Sequence, residues 1–228
     1  MRTAVLIDGG YFVKRFQQLE PHNKHNAERA ADCAFRWALM HLTERVQKPK
    51  RHELYRIFFY DCPPLEKRMH HPLSKRAVDF SKTPEARFRR ELHERLLKKR
   101  KVALRLGHLS GDVSWTIRQS TIEALLKGQR QFSDLSDTDI APNIRQKGVD
   151  MRIGVDVASL AFKRYVDQIV LMAGDADFVP AAKLARREGI DFILDPMHRS
   201  VPLNLMEHID GLRSTCPKFK KIVDDRTC

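Results

Sequence analysis

Five aspartates stand where an α/β chain could use them for chemistry. Asp8 ends the apolar run Ala4-Val5-Leu6-Ile7 and is followed by Gly9-Gly10. Asp175 and Asp177 follow a second run, Ile169-Val170-Leu171-Met172-Ala173-Gly174, just ahead of a helix-like stretch. Asp150 and Asp156 lie in the segment before that run. In open parallel sheets ligands bind beyond the carboxyl ends of the strands, so Asp8 and the Asp175/Asp177 pair share an edge. Asp150, at the start of a helix, can project to the same edge. Carboxylates gathered there repel one another unless a cation joins them or some take up a proton. Hard divalent ions such as Mg²⁺ or Mn²⁺ want oxygen ligands. Two such ions, roughly 3.5–4 Å apart, can clamp the attacking and leaving oxygens of a phosphodiester.

Each aspartate also has a purely structural role open to it. Asp177, before Phe178-Val179-Pro180, and Asp150 could each cap a helix. Asp8 could serve a strand-to-glycine turn. Asp156 lies six residues after Asp150, so at about 100° per residue the two point about 120° apart and cannot both face one ion directly.

The remaining composition points to a polyanion. The 228 residues include 42 Lys plus Arg against 29 Asp plus Glu, a net charge of +13. Nucleic acid is the natural partner of such a balance, although a basic soluble surface has the same charge. Lys147, three residues before Asp150, is the first candidate for a scissile phosphate. Lys14, Arg15, Arg152, Lys163, Arg164, Lys183, Arg186, Arg187 and Arg199 could form a phosphate track, and the basic Lys67 to Arg100 region could be a substrate lid or grip, although most basic residues on helix faces are only solvated charges. Tyr11, beside Asp8, could stack on a base of a single strand or sit in the core. Cys33, Cys62, Cys216 and Cys228 form no Cys-x-x-Cys pair, and no histidine has zinc spacing. The absence of a charged-then-apolar leader or a membrane-length apolar run predicts a cytoplasmic protein with no membrane partner. A homodimer is compatible with the sequence.

The elements that must hold these residues alternate between strand and helix. Ala4–Ile7, 54–60, 102–109, 168–173 and 191–194 read as strands. Helices are expected over 11–19, 26–46, 84–101, 149–165 and 178–188, the last closed by Gly189 with Ile190 making the capping contact. Leu65 to Thr83 is basic and irregular, 113–117 is a short extended piece, and the polar stretch 129–146 predicts a loop. Alternation of this kind implies a mainly parallel sheet covered by helices on both faces. The chain therefore reads as one α/β domain over 1–228, with an elaborated middle at about 62–146.

Three elements, taken in order, carry a resemblance. Ile7-Asp8-Gly9-Gly10, then Lys147-Gly148-Val149-Asp150 with Asp156 behind it, then Ala173-Gly174-Asp175-Ala176-Asp177-Phe178-Val179-Pro180 resemble the NYN domain. This is a branch of the PIN-like nucleases whose bacterial members include the LabA-like proteins. The likeness is strongest in the first dozen residues and from Lys147 to Asp195. It implies a PIN-like three-layer fold and metal-dependent endonuclease activity, usually on RNA, single-stranded or structured. It implies Asp8 as the first metal-binding aspartate, Asp150 as the helix-borne acidic ligand, and Asp175 and Asp177 as the pair after the fourth core strand. Asp156 is the weakest metal candidate. Many members carry Asn at the position of Tyr11, and that departure motivates a second reading, a regulatory RNA-binding module with a weak or inactive site. An aspartyl-phosphate phosphatase is disfavoured because Gly10 stands where a second Asp is needed. A dinucleotide-binding domain is disfavoured because no Gly-x-Gly-x-x-Gly follows the first strand.

Overall fold

A computed structural model of the chain describes residues 1–44 and 50–218. Its centre is a six-stranded sheet, with strands numbered here along the chain: β1 (Arg2–Asp8), β2 (Glu53–Asp61), β3 (Val102–Leu106), β4 (Gln168–Met172), β5 (Asp191–Asp195) and β6 (Gly211–Leu212). The spatial order is β6-β5-β4-β1-β2-β3, and every neighbouring pair is parallel. From β1 the chain winds outward to β3 on one side, then crosses to β4 and winds outward on the other. The order thus reverses between β1 and β4, and their carboxyl ends flank the crevice that such a reversal opens.

The apolar runs take this form because both faces are covered. Val5, Ile7, Phe59 and Met172 face a core built with α1 (Gly9–Leu19), α2 (Ala27–Met40) and α3 (Pro84–Leu97). Leu6, Tyr60, Ile169 and Leu171 face the opposite core, built with α5 (Val149–Phe162) and α6 (Val179–Arg187). Between α3 and α5 lies the short α4 (Gln119–Leu126). The result is the three-layer α/β arrangement expected from the alternation.

The departures have local causes. The helix expected over 26–46 starts as predicted, with Asn26 accepting from the Arg29 N–H at 3.0 Å, but ends at Met40; positions 45 and 46 lie outside the described residues, as does Cys228. Gly189 closes α6 at φ +80°, and the Ile190 N–H reaches the Ala185 carbonyl at 3.0 Å, so that end matches the pattern.

The polar stretch 129–146, expected as a loop, contains the strand Ile140–Asn143, which pairs antiparallel with Ser114–Ile117. What orders it is polar rather than apolar. Buried Asp139 accepts from Arg130 at 2.7 Å, Thr121 at 3.0 Å and the Ser136 hydroxyl at 2.8 Å. Charges that read as solvated satisfy one another. The basic stretch 65–83 likewise holds a small ribbon, Arg68–His70 against Ala77–Asp79.

Candidate active site

Asp8, Asp150 and Asp175 line the hollows at the crevice, and Asp177 is linked to them through its charge on Asp150. Asp8 is both the last residue of β1 and the N-cap of α1, where it accepts the Tyr11 N–H at 3.1 Å. Gly9 must follow it, because a Cβ there would lie 2.6 Å from the Tyr60 carbonyl oxygen. Asp150 sits in the first turn of α5, whose cap is Gly148 at φ +79°, so its carboxylate is not spent on capping. Asp175 caps the short turn Ala176–Phe178 by accepting the Asp177 N–H at 3.2 Å. The cap position of α6 is Phe178, which removes the capping role from Asp177 as well. Asp8 and Asp150 line a 660 Å³ cleft, and Asp8 and Asp175 line a neighbouring hollow of 430 Å³, with Tyr11 in the wall of both.

These groups feel one another. The Asp8 carboxyl is pushed up to about 6, first by burial and then by the charges of Asp150 and Asp61. Asp150 is raised too, first by burial and then by Asp175 and Asp177. Among the described residues, no Lys, Arg or His pairs with Asp8, Asp150, Asp175 or Asp177. That is a notable economy in a chain of net charge +13.

Two other strand-end aspartates show the contrast. Asp61 ends β2, is fully buried, and is held by Arg89 and by His93 Nε2 at 2.8 Å. Asp195 ends β5, is fully buried, and accepts from His41 Nε2 at 2.8 Å and Thr215 Oγ1 at 3.2 Å. Both carboxylates are held by side-chain partners, whereas the four at the crevice have no basic partner among the described residues.

The donor chemistry fits a hard divalent cation: oxygen ligands only, without basic partners, with the charged forms of Asp8 and Asp150 disfavoured in a way that a cation would relieve. Among the described residues no three His, Cys, Asp or Glu side chains close on one point tightly enough to hold an ion. Asp156 belongs elsewhere in the fold. Its carboxylate accepts Tyr60 Oη at 2.8 Å and lies 3.3 Å from Arg105 Nε.

The NYN domain family model matches residues 90–204, half of the chain, including Asp150, Asp175 and Asp177. The chain belongs to the NYN family. NYN domains fall within the PIN-like superfamily, a nuclease-like group whose members typically use divalent metals. The match begins beyond β1, and it is the sheet order that sets Asp8 beside the matched aspartates. No curated protein matches the chain. A crystal structure of a protein of unknown function from Vibrio parahaemolyticus is similar, with 14% identity over 93% of this chain and 91% of that one, at a TM-score of 0.49.

Around the NYN carboxylates the other candidates separate. Lys14 and Tyr11 line both hollows. Tyr11 is not free to swing onto a base. Its hydroxyl donates to the Pro196 carbonyl at 2.6 Å, and its ring lies so close to Gly174 that a Cβ there would meet Tyr11 Cε2 at 2.5 Å. Burial, the largest influence, pushes its phenol up to about 12. Tyr11 therefore clamps the loop after β4 to α1, a role the Asp-Gly-Gly-Tyr sequence did not disclose.

Arg152 lines a separate hollow with Arg105, His108 and Asp156. Lys147 and Lys183 are exposed and line none of these hollows. Two expected phosphate contacts are spent inside the protein: Arg15 donates to the Met197 carbonyl at 2.9 Å, and Arg186 pairs with Asp210 at 2.8 Å. Arg89, within the basic 67–100 stretch, and Gln146, which no sequence pattern marks, line the larger cleft from the middle region. Only the folding of remote segments reveals them.

Proposed function

We propose that this NYN protein is a metal-dependent endoribonuclease, hydrolysing phosphodiester bonds of RNA at the crevice between β1 and β4. The observation that carries the reading is the set of four carboxylates, Asp8, Asp150, Asp175 and Asp177, left without cationic partners at the switch point of a parallel sheet in a strongly basic chain. Those four side chains would hold Mg²⁺ or Mn²⁺. When bound, such an ion acts as a Lewis acid on phosphate oxygens and lowers the pKa of water.

The chain's own residues do the rest. Asp8, at the end of β1 and the start of α1, is placed to orient the attacking water. Lys14, which makes no ion pair among the described residues, is placed to hold a neighbouring phosphate. Tyr11 and Gly174 fix the spacing of the two strand ends. Lys147, Arg152 and Lys183 supply longer-range attraction for the polyanion. The same proposal takes the chain as one domain over 1–228, elaborated at about 62–146, and as a cytoplasmic, bacterial, LabA-like protein acting on RNA ahead of DNA.

One observation favours a second reading, an RNA-binding module with a weak or inactive site: Tyr11 occupies the position where many relatives carry Asn, and its hydroxyl is committed to Pro196. The deciding experiment is cleavage of labelled single-stranded RNA with Mn²⁺ or Mg²⁺, beside Asp175→Asn and an EDTA control. The nuclease reading expects metal-dependent cutting that falls by roughly 100-fold or more in the variant. Tight, salt-sensitive RNA binding by both proteins, with no cutting, would establish the binding module instead.

A further inference from the structure

The larger cleft has two unlike walls. One is the acidic edge, with Asp8 and Asp150; the other is apolar, built by Pro63, Leu65, Phe80, Pro142 and Ile144 from three separate segments of the middle region. Its 660 Å³ lies within the range of about 300–1,000 Å³ typical of small-molecule sites. The aromatic side chain in that wall is braced from behind. Phe80 lies 5.8 Å from Trp115 between ring centroids, and Trp115 lies 4.8 Å from His71.

Two polar groups in the cleft are uncommitted. Lys14 makes no ion pair and the Gln146 amide no hydrogen bond among the described residues. Gln146 Oε1 lies 3.2 Å from where a Cβ on Gly10 would stand, so this amide hangs beside Asp8. Arg89 also lines the cleft, but its guanidinium is held by Asp61 and Glu85.

An apolar slot with a fixed aromatic, one free amide and one free cation, opening onto carboxylates, has the makings of a nucleotide site. We propose that the cleft takes in one unpaired nucleobase of a single-stranded substrate. The base stacks against Phe80 and is read at its edge by the Gln146 amide, while Lys14 holds the adjoining phosphate. The inference rests on reading the acidic edge as a nuclease site, because it places the phosphate to be cut beside the seated base. A base within a duplex is paired and stacked, and would have to be extruded before it could enter. The site therefore selects single strands, loops or bulges.

The test is binding of short oligo-A, oligo-C and oligo-U strands, and of the same sugar–phosphate strand without bases, in EDTA so that nothing is cut. The wild type should prefer the base-bearing strands by roughly 5- to 100-fold, the range for one aromatic stack. Phe80→Leu, which keeps bulk but removes the flat face, should lose most of that preference while binding the base-free strand unchanged. Gln146→Ala, at an exposed position where folding is not at stake, should alter the ranking of the three bases and leave the base-free strand unaffected. Equal affinity for base-bearing and base-free strands, or a preference untouched by both variants, would overturn the proposal.

The two readings fail separately. Mn²⁺-dependent cutting without any base preference removes the pocket and keeps the nuclease. Base preference lost in Phe80→Leu, without cutting under either metal, keeps the pocket and removes the nuclease.

Discussion

Asp8→Asn should make the protein more stable at neutral pH when no divalent metal is supplied. The carboxyl of Asp8 is raised from 3.8 to about 6, by burial first and by Asp150 and Asp61 after it. The folded state therefore holds this proton more tightly than the unfolded state does. The stabilisation is fully present below about 4 and is lost as pH rises through about 6. At about 1.4 kcal/mol per pH unit, the charge on Asp8 costs the folded state about 3 kcal/mol at pH 7.5, and about 0.5 kcal/mol at pH 4.

Asn removes the charge but keeps an oxygen to accept the Tyr11 N–H, so the start of α1 is preserved. For a chain of this length about 1 kcal/mol corresponds to roughly 2 °C, so the variant should melt about 2–6 °C higher at pH 7.5 and within about 1 °C of the wild type at pH 4. Thermal melts followed by circular dichroism in EDTA measure both gaps. Adding Mn²⁺ should then raise the wild-type midpoint and move the variant much less. A variant that melts at or below the wild type at pH 7.5, or a gap of equal size at both pH values, would refute the assignment of Asp8 as an uncompensated, partly buried charge.

Two further perturbations test the frame around the site. Arg89→Ala leaves the fully buried Asp61 with His93 alone and should cost about 3–5 kcal/mol, read as a lower urea midpoint; Arg89→Lys should recover only part of it. Gly174→Ala drives a methyl into the Tyr11 ring and should cost about 1–3 kcal/mol, and a double-mutant cycle with Tyr11→Ala should show the two changes to be less than additive.

Much of the architecture was legible because parallel strands buried on both faces must be written as continuous apolar runs, and Ala4–Ile7 and Ile169–Met172 are such runs. The carboxylates were legible because they stop those runs. The middle was not. Its ribbons are held by Asp139 with Arg130, and by Trp115 with His71 and Phe80, pairs that resemble ordinary surface residues until they meet. The helix end at Met40 fell short of the apolar pattern, since buried His41 and Leu42 carry that pattern into the turn that follows.

The sequence by itself determined that aspartates would end strands of an α/β sheet and that a basic chain would surround them. Only the tertiary structure decided which of those aspartates stay unpaired. Asp8, Asp61 and Asp195 each close an apolar strand and look alike in the sequence. Asp61 meets Arg89 and His93 from α3, Asp195 meets His41 at the end of α2, and Asp8 meets Asp150 at the start of α5. A carboxylate's state depends on the charges within a few ångströms of it, and here those come from elements remote along the chain, brought together only by packing.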